Sequence, residues 1–228
     1  MKSTIIEQKN VEKSLKRLYN NMYKKVSACV YNYSKLARDM NGEWSMVLIN
    51  GRDLTVEEVI RVCRNDEEVK LTGEAEKNVQ KARDYIEKKL AEKAVIYGLT
   101  TGFGKFSNVV ISNEETEKLQ RNLIISHTCS MGEAYPREQV RAAMLLRCNA
   151  LARGNSGIRL STLKTLIDML NRGVHPIVPQ KGSLGASGDL APLSHMVLPM
   201  IGLGLAEYQG EVLPGKEAMD RAGIPVIE

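Results

Sequence analysis

Gly182-Ser183-Leu184-Gly185-Ala186-Ser187-Gly188-Asp189-Leu190 sets a serine between two of the smallest residues, in a run where backbone folds closely on backbone. Gly188 has no Cβ, so its amide nitrogen can approach the Ala186 carbonyl in conformations closed to other residues. Attack on that carbonyl with loss of water closes a five-membered imidazolone ring within the main chain. Loss of the Ser187 hydroxyl as a second water leaves an exocyclic methylidene, an electrophile that no unmodified side chain provides. Ala186 supplies a small carbonyl donor, Ser187 a β-hydroxyl to eliminate, and Gly188 an unhindered nitrogen. A Gly/Ser/Ala run by itself is more often a loop or a phosphate-cradling turn. Chemistry therefore needs a second, independent segment.

Tyr97-Gly98-Leu99-Thr100-Thr101-Gly102-Phe103-Gly104 is that segment. Together with Gly185-Ala186-Ser187-Gly188-Asp189-Leu190-Ala191-Pro192-Leu193 it resembles the histidine and aromatic amino acid ammonia-lyase family, which includes related aminomutases. The resemblance runs over residues 44–228, with further matches at Ser126-His127, Asn155-Ser156-Gly157-Ile158-Arg159 and Asn171-Arg172-Gly173-Val174-His175-Pro176. It implies a mainly α fold with a catalytic domain over 44–228, preceded by a basic helical extension over 1–43. It also implies a 4-methylidene-imidazole-5-one electrophile (MIO) formed from Ala186-Ser187-Gly188, without metal or nucleotide.

Composition agrees with a soluble globular chain. Of 228 residues, 26% are charged and 43% apolar, an ordinary balance. The opening Met1-Lys2-Ser3-Thr4 leads into polar residues with no apolar signal core, which points to the cytoplasm. Leu190 to Ala206 is the longest apolar stretch; Pro192, His195, Pro199, Gly202 and Gly204 interrupt it, so it reads as a buried helix and not a membrane span. Cys29, Cys63, Cys129 and Cys148 form no C-x-x-C pair and read as reduced thiols. His175 and His195 likewise lack metal-ligand spacing. The net charge of +5 is concentrated: residues 1–42 hold nine Lys/Arg against Glu7, Glu12 and Asp39, a local +6, so the remainder is at −1. Val11, Leu15, Leu18, Met22 and Val26 recur at helical steps there, giving an arm suited to a partner subunit more than to nucleic acid or membrane.

Further along, Asn50-Gly51 between Met46-Val47-Leu48-Ile49 and Arg52-Asp53-Leu54 predicts a short β-hairpin near residues 46–54. Thr55 caps a helix beginning Val56-Glu57-Glu58, and Glu74 to Ala94 forms another. Asn113 caps a helix placing Leu119, Leu123 and His127 on one face. Pro136 opens a helix with Val140, Ala143, Met144 and Leu151 inward, closed by Gly154. The next carries Leu160, Leu163, Ile167 and Leu170 and ends at Gly173. Asp189-Leu190-Ala191-Pro192 starts one more, so the triad sits just before a helix N-terminus.

Ammonia elimination needs a base for a weakly acidic β-proton. The resemblance assigns that role to Tyr97, whose phenol needs its pKa lowered from about 10. Helix N-termini aimed at the site would do this, so a ring of helix starts is expected. Nucleotide binding fits poorly: Gly102-Phe103-Gly104-Lys105-Phe106-Ser107 lacks the last glycine of G-x-G-x-x-G, and Phe106 stands where a P-loop needs Ser/Thr.

The resemblance places Ser126, His127 and Gly104 at the substrate and lets Asp189 assist ring formation, although a helix-capping Asp189 is the plain reading. Arg159 reads as structural support, and His195 as the maker of a buried hydrogen bond. By resemblance, Ser126-His127 looks like the histidine-specific members and some tyrosine aminomutases, and together with Gly132-Glu133 it favours histidine. Thr100-Thr101-Gly102 points to tyrosine or phenylalanine, either for a lyase or for a 2,3-aminomutase.

Members of the family are much longer and continue into a helical bundle that supplies further site residues and the contacts of a homotetramer. The expectation is therefore an N-terminal portion, inactive by itself. The reading of a different class is a non-catalytic assembly or binding subunit.

Overall fold

Thr55 does what its place before Val56-Glu57-Glu58 predicts. Its hydroxyl accepts from the Glu58 amide at 3.3 Å while the Glu58 carboxylate accepts from the Thr55 amide at 2.8 Å, a reciprocal capping box. The computed structural model describes residues 46–92, 94–102, 113–184 and 188–227, with 113–117 by backbone alone. The extension over 1–43, Cys29, Gly104, Ala186 and Ser187 lie outside the described residues. A compact unit begins at Met46.

Strand β1 (Val47–Ile49) leads through helix α1 (Val56–Asn65) to β2 (Val69–Leu71), which pairs with β1 in parallel. Helix α2 (Gly73–Ala91) follows, capped by the Thr72 hydroxyl, which accepts from Ala75 N at 3.1 Å. Next come α3 (Asn113–His127), β3 (Met131–Ala134), α4 (Arg137–Ala152) and α5 (Leu160–Arg172). After α5 the chain forms β4 (His175–Pro176), β5 (Pro179–Lys181) and α6 (Leu190–Val197), which runs into a 3₁₀ turn at Leu198–Ile201. Strands β6 (Leu205–Tyr208) and β7 (Glu211–Pro214) and helix α7 (Gly215–Arg221) complete it. β3 pairs antiparallel with β5, and β4, β6 and β7 form an antiparallel sheet. The fold is mainly α, as expected.

The hairpin at 46–54 does not form. Asn50 Oδ1 accepts from the Arg52 and Asp53 amides at 2.9 and 3.1 Å, and the Gly51 amide donates to Asn149 Oδ1 of α4 at 2.9 Å. The Asn-Gly turn thus closes on its own side chain and delivers the chain to the Thr55 cap, while β1 finds its partner twenty residues on. Asn171 extends that small sheet: its amide accepts from Val69 N at 3.0 Å and donates to Val69 O at 2.9 Å.

The stretch Leu190–Ala206 also departs from expectation. It is helical only to Ile201, turns at Gly202, and enters β6 at Leu205. Backbone breakers, not hydrophobicity, decide where the helix stops.

Helix α4 occupies the centre, packing against α1, α2, α5, β1 and β4. Val140, Met144, Leu145, Cys148 and Leu151 are buried on it, but Ala143 is exposed, against expectation. Leu145 takes the inward position, because the buried stripe drifts by one residue along a 3.6-residue turn. Cys63 is buried, burial pushes the buried Cys148 thiol up to about 12, and Cys129 is exposed.

Two buried polar groups bear on stability. Arg141, 1% exposed, is tied to α1 and α5. His175, 2% exposed, has no hydrogen-bond partner on either ring nitrogen. Burial, followed by Arg137 and Arg141, pushes its pKa from 6.5 down to about 3. The unfolded chain therefore binds a proton that the folded chain refuses. Stability falls as pH drops through 6.5 and goes on falling until about pH 3. His175→Leu should remove this contribution, worth at most about 1.4 kcal/mol per pH unit in that window. Urea unfolding between pH 7 and pH 4 checks it: the variant should lose distinctly less stability than the parent.

Candidate active site

Helix α3 ends at His127, and its last turn fixes the ring. His127 Nδ1 lies 2.7 Å from the Leu123 carbonyl. A carbonyl only accepts, so Nδ1 carries a proton, and in a neutral ring Nε2 would be the acceptor. Ser126 Oγ donates to the same carbonyl at 2.9 Å and lies 3.3 Å from Nδ1. Leu123 and His127 share a face, as their spacing predicts.

Residues after His127 lead directly to the serine loop. β3 pairs with β5, with Met131 opposite Lys181, and the next residue, Gly182, presses on Ser130. A Cβ at Gly182 would collide with the Ser130 side chain and stand 2.8 Å from its Cα. Glycine is required there by close approach. Beyond Ser183 and Leu184 in the same loop, Gly188 has a φ of +68°. Side-chain-bearing residues rarely adopt that conformation, so the residue whose nitrogen must be unhindered is also one whose backbone demands glycine. The Ser183 hydroxyl donates across the loop to the Gly188 carbonyl.

Asp189 stands at the N-cap of α6 with φ −109° and ψ −6°. Its carbonyl accepts from Leu193 N at 3.0 Å, but its side chain makes no capping hydrogen bond. An extended backbone is what lets a cap side chain turn back onto its helix, and Asp189 lacks it. The plain capping reading is therefore incorrect. α6 packs against α3, and the Ser130 amide donates to His195 Nε2 at 3.2 Å. His195 makes a hydrogen bond as expected, but a half-buried one, and partial burial lowers its pKa.

Tyr97 opens a turn after α2 and is 64% exposed. The turn is stitched by its two threonines. Thr100 Oγ1 accepts from Ile96 N at 2.9 Å and donates to Ala94 O at 3.1 Å, and Thr101 Oγ1 accepts from Gly98 N at 3.1 Å. Both threonines are buried. The expected ring of helix starts is not seen: among the described residues these groups come from one helix start (α6), one helix end (α3) and one turn. Sequence reasoning missed Ser130, which touches both the loop and α6. The rule that glycine marks close backbone approach was the available signal, at Gly182. Among the described residues no three His, Cys, Asp or Glu side chains cluster as a metal site. No helix among them is long and apolar enough to cross a membrane.

The sequence profile of the aromatic amino acid lyases matches residues 54–228. A histidine ammonia-lyase from Caldanaerobacter subterraneus subsp. tengcongensis is 58% identical over 181 residues, 79% of this chain and 36% of that protein. The chain thus spans about a third of the length of this curated relative. Among solved structures, ergothionase from Treponema denticola superposes with a TM-score of 0.77 at 35% identity, covering 80% of this chain and 37% of that one. A phenylalanine aminomutase from Pantoea agglomerans gives 0.76 at 37% identity, over 81% and 35% of the two chains.

Proposed function

Because the chain belongs to the family of aromatic amino acid lyases, we propose that the polypeptide carrying it eliminates ammonia from L-histidine to give urocanate. Ala186, Ser187 and Gly188 are the source of the MIO group. The Gly188 nitrogen bonds to the Ala186 carbonyl carbon, whose oxygen departs as water; Ser187 then gives up its hydroxyl and α-hydrogen as a second water. The left-handed Gly188 supports that reading, and Asp189, whose side chain makes no capping hydrogen bond, is assigned the proton movements of ring formation. Once formed, the group supplies an electrophile that makes ammonia a competent leaving group.

Tyr97 takes the β-proton. Ser126 and His127 meet the substrate side chain, with Gly104 nearby in the Tyr97 segment. With Nδ1 held by Leu123, a neutral His127 would offer its Nε2 lone pair to an imidazole N–H. An apolar phenyl ring would leave that acceptor unmatched. Thr100 is engaged with its own turn, which weakens the case that Thr100-Thr101-Gly102 marks an aromatic substrate. The observation that carries the choice of histidine is the 58% identity with a histidine ammonia-lyase. The enzyme works as a cytoplasmic homotetramer.

Incubating the whole polypeptide with histidine, tyrosine and phenylalanine in turn tests the reading by ultraviolet absorbance. Urocanate from histidine alone is expected. Cinnamate-type products without urocanate would replace the substrate, and β-amino acids would make the protein an aminomutase.

A further inference from the structure

Ser130 ties the start of the serine loop to the helix that follows it. At the start of the loop, Gly182 packs against Ser130 so closely that no Cβ fits. At its end the chain enters α6, and His195 on that helix accepts the Ser130 amide proton at 3.2 Å. β3–β5 pairing fixes the neighbouring residues Met131 and Lys181. Within the loop, Ser183 bonds to the Gly188 carbonyl. A segment whose start is tied to the helix that follows it has lost part of the freedom to extend. Ring closure requires the opposite of extension, namely a nitrogen driven toward a carbonyl two residues back.

We propose that His195 is a positioning residue for MIO formation: through the Ser130 amide it clasps α6, which follows Gly188, to the start of the loop. The inference rests on the reading of Ala186-Ser187-Gly188 given above. Acceptance by Nε2 requires a neutral ring with its proton on Nδ1, and burial favours the neutral ring. Ser130 Oγ is buried without a hydrogen-bond partner, so the residue's tie to α6 runs through its backbone.

The test follows newly synthesised whole polypeptide over time, reading by mass spectrometry the fraction of the Ser187 peptide lighter by two waters. His195→Leu removes the acceptor; His195→Gln restores one at similar reach. Losing about one half-buried hydrogen bond should slow conversion about tenfold in His195→Leu, with His195→Gln close to the parent. KM for histidine should be unchanged in the converted fraction, since His195 acts before substrate arrives. Equal conversion rates in all three proteins would overturn the clasp, as would equal slowing in both variants. A parent that never loses water would instead overturn the ring itself. Circular dichroism accompanies each variant. Should His195→Leu not fold, hydrogen exchange at the Ser130 amide of the parent decides: protection supports the clasp, and exchange at the rate of an unstructured amide refutes it.

Discussion

Ser187→Ala should lower ammonia release from histidine by about a thousandfold or more, on the order of 4 kcal/mol of activation barrier. Alanine has no β-hydroxyl to eliminate, so a closed ring would lack the methylidene carbon. No other side chain at the site substitutes for that carbon, since tyrosine, histidine and aspartate are nucleophiles or bases. Ser183→Ala is the informative control. It also removes a loop hydroxyl, but one that only braces the Gly188 carbonyl, and should cost about tenfold at most. Steady-state rates of both variants, with folding checked by circular dichroism, decide the matter. Comparable losses in the two would mean that the serines merely shape the loop.

Arg141→Met carries the largest expected effect on stability. The guanidinium donates to the Val62 carbonyl through Nε at 3.1 Å and Nη2 at 2.6 Å, and to the Leu170 carbonyl through Nη1 at 3.0 Å. These carbonyls lie in the last turns of α1 and α5, where helices have no partners of their own, and a cation suits both helix ends. The Asp66 carboxylate, 3.2 Å away, offsets part of the desolvation of the charge. Methionine fills the volume, but the two carbonyls cannot be deleted with it and remain buried and unpaired. The expected loss is on the order of 3–4 kcal/mol, or roughly 10 °C in melting temperature for a domain of this size. Denaturant titration measures it directly. A loss below about 1 kcal/mol would show that water reaches those carbonyls.

Both groups illustrate what the sequence hid. Local signals were legible: the Thr55 cap, Pro136 at the mouth of α4 and Gly173 closing α5 each depend on chemistry within a few residues. Arg141 and His175 sit amid ordinary helical and loop sequence; the burial of Arg141 follows from α4 meeting α1 and α5, and that of His175 from β4 lying against α4, α6 and β6. Asn50-Gly51 shows the converse failure. Its turn signal was real, but a turn is a hairpin only if the flanking strands pair, and β1 pairs elsewhere. The strands β4, β6 and β7 went unread because each is short and the first lies thirty residues from its partner.

The site divides in the same way. Gly188 was identified by its neighbours, and its positive φ agrees with the need for an unhindered nitrogen. The meeting of Ser130 with both Gly182 and His195 spans up to 65 residues and left no trace except a glycine. Tyr97 is proposed from a motif, and its exposure in this chain could not have been inferred from that motif.

The most direct test weighs the Ser187 peptide excised from the mature, folded, full-length polypeptide. The account predicts a mass short by two waters relative to the encoded sequence. A peptide of unaltered mass, bearing an ordinary serine, would contradict it.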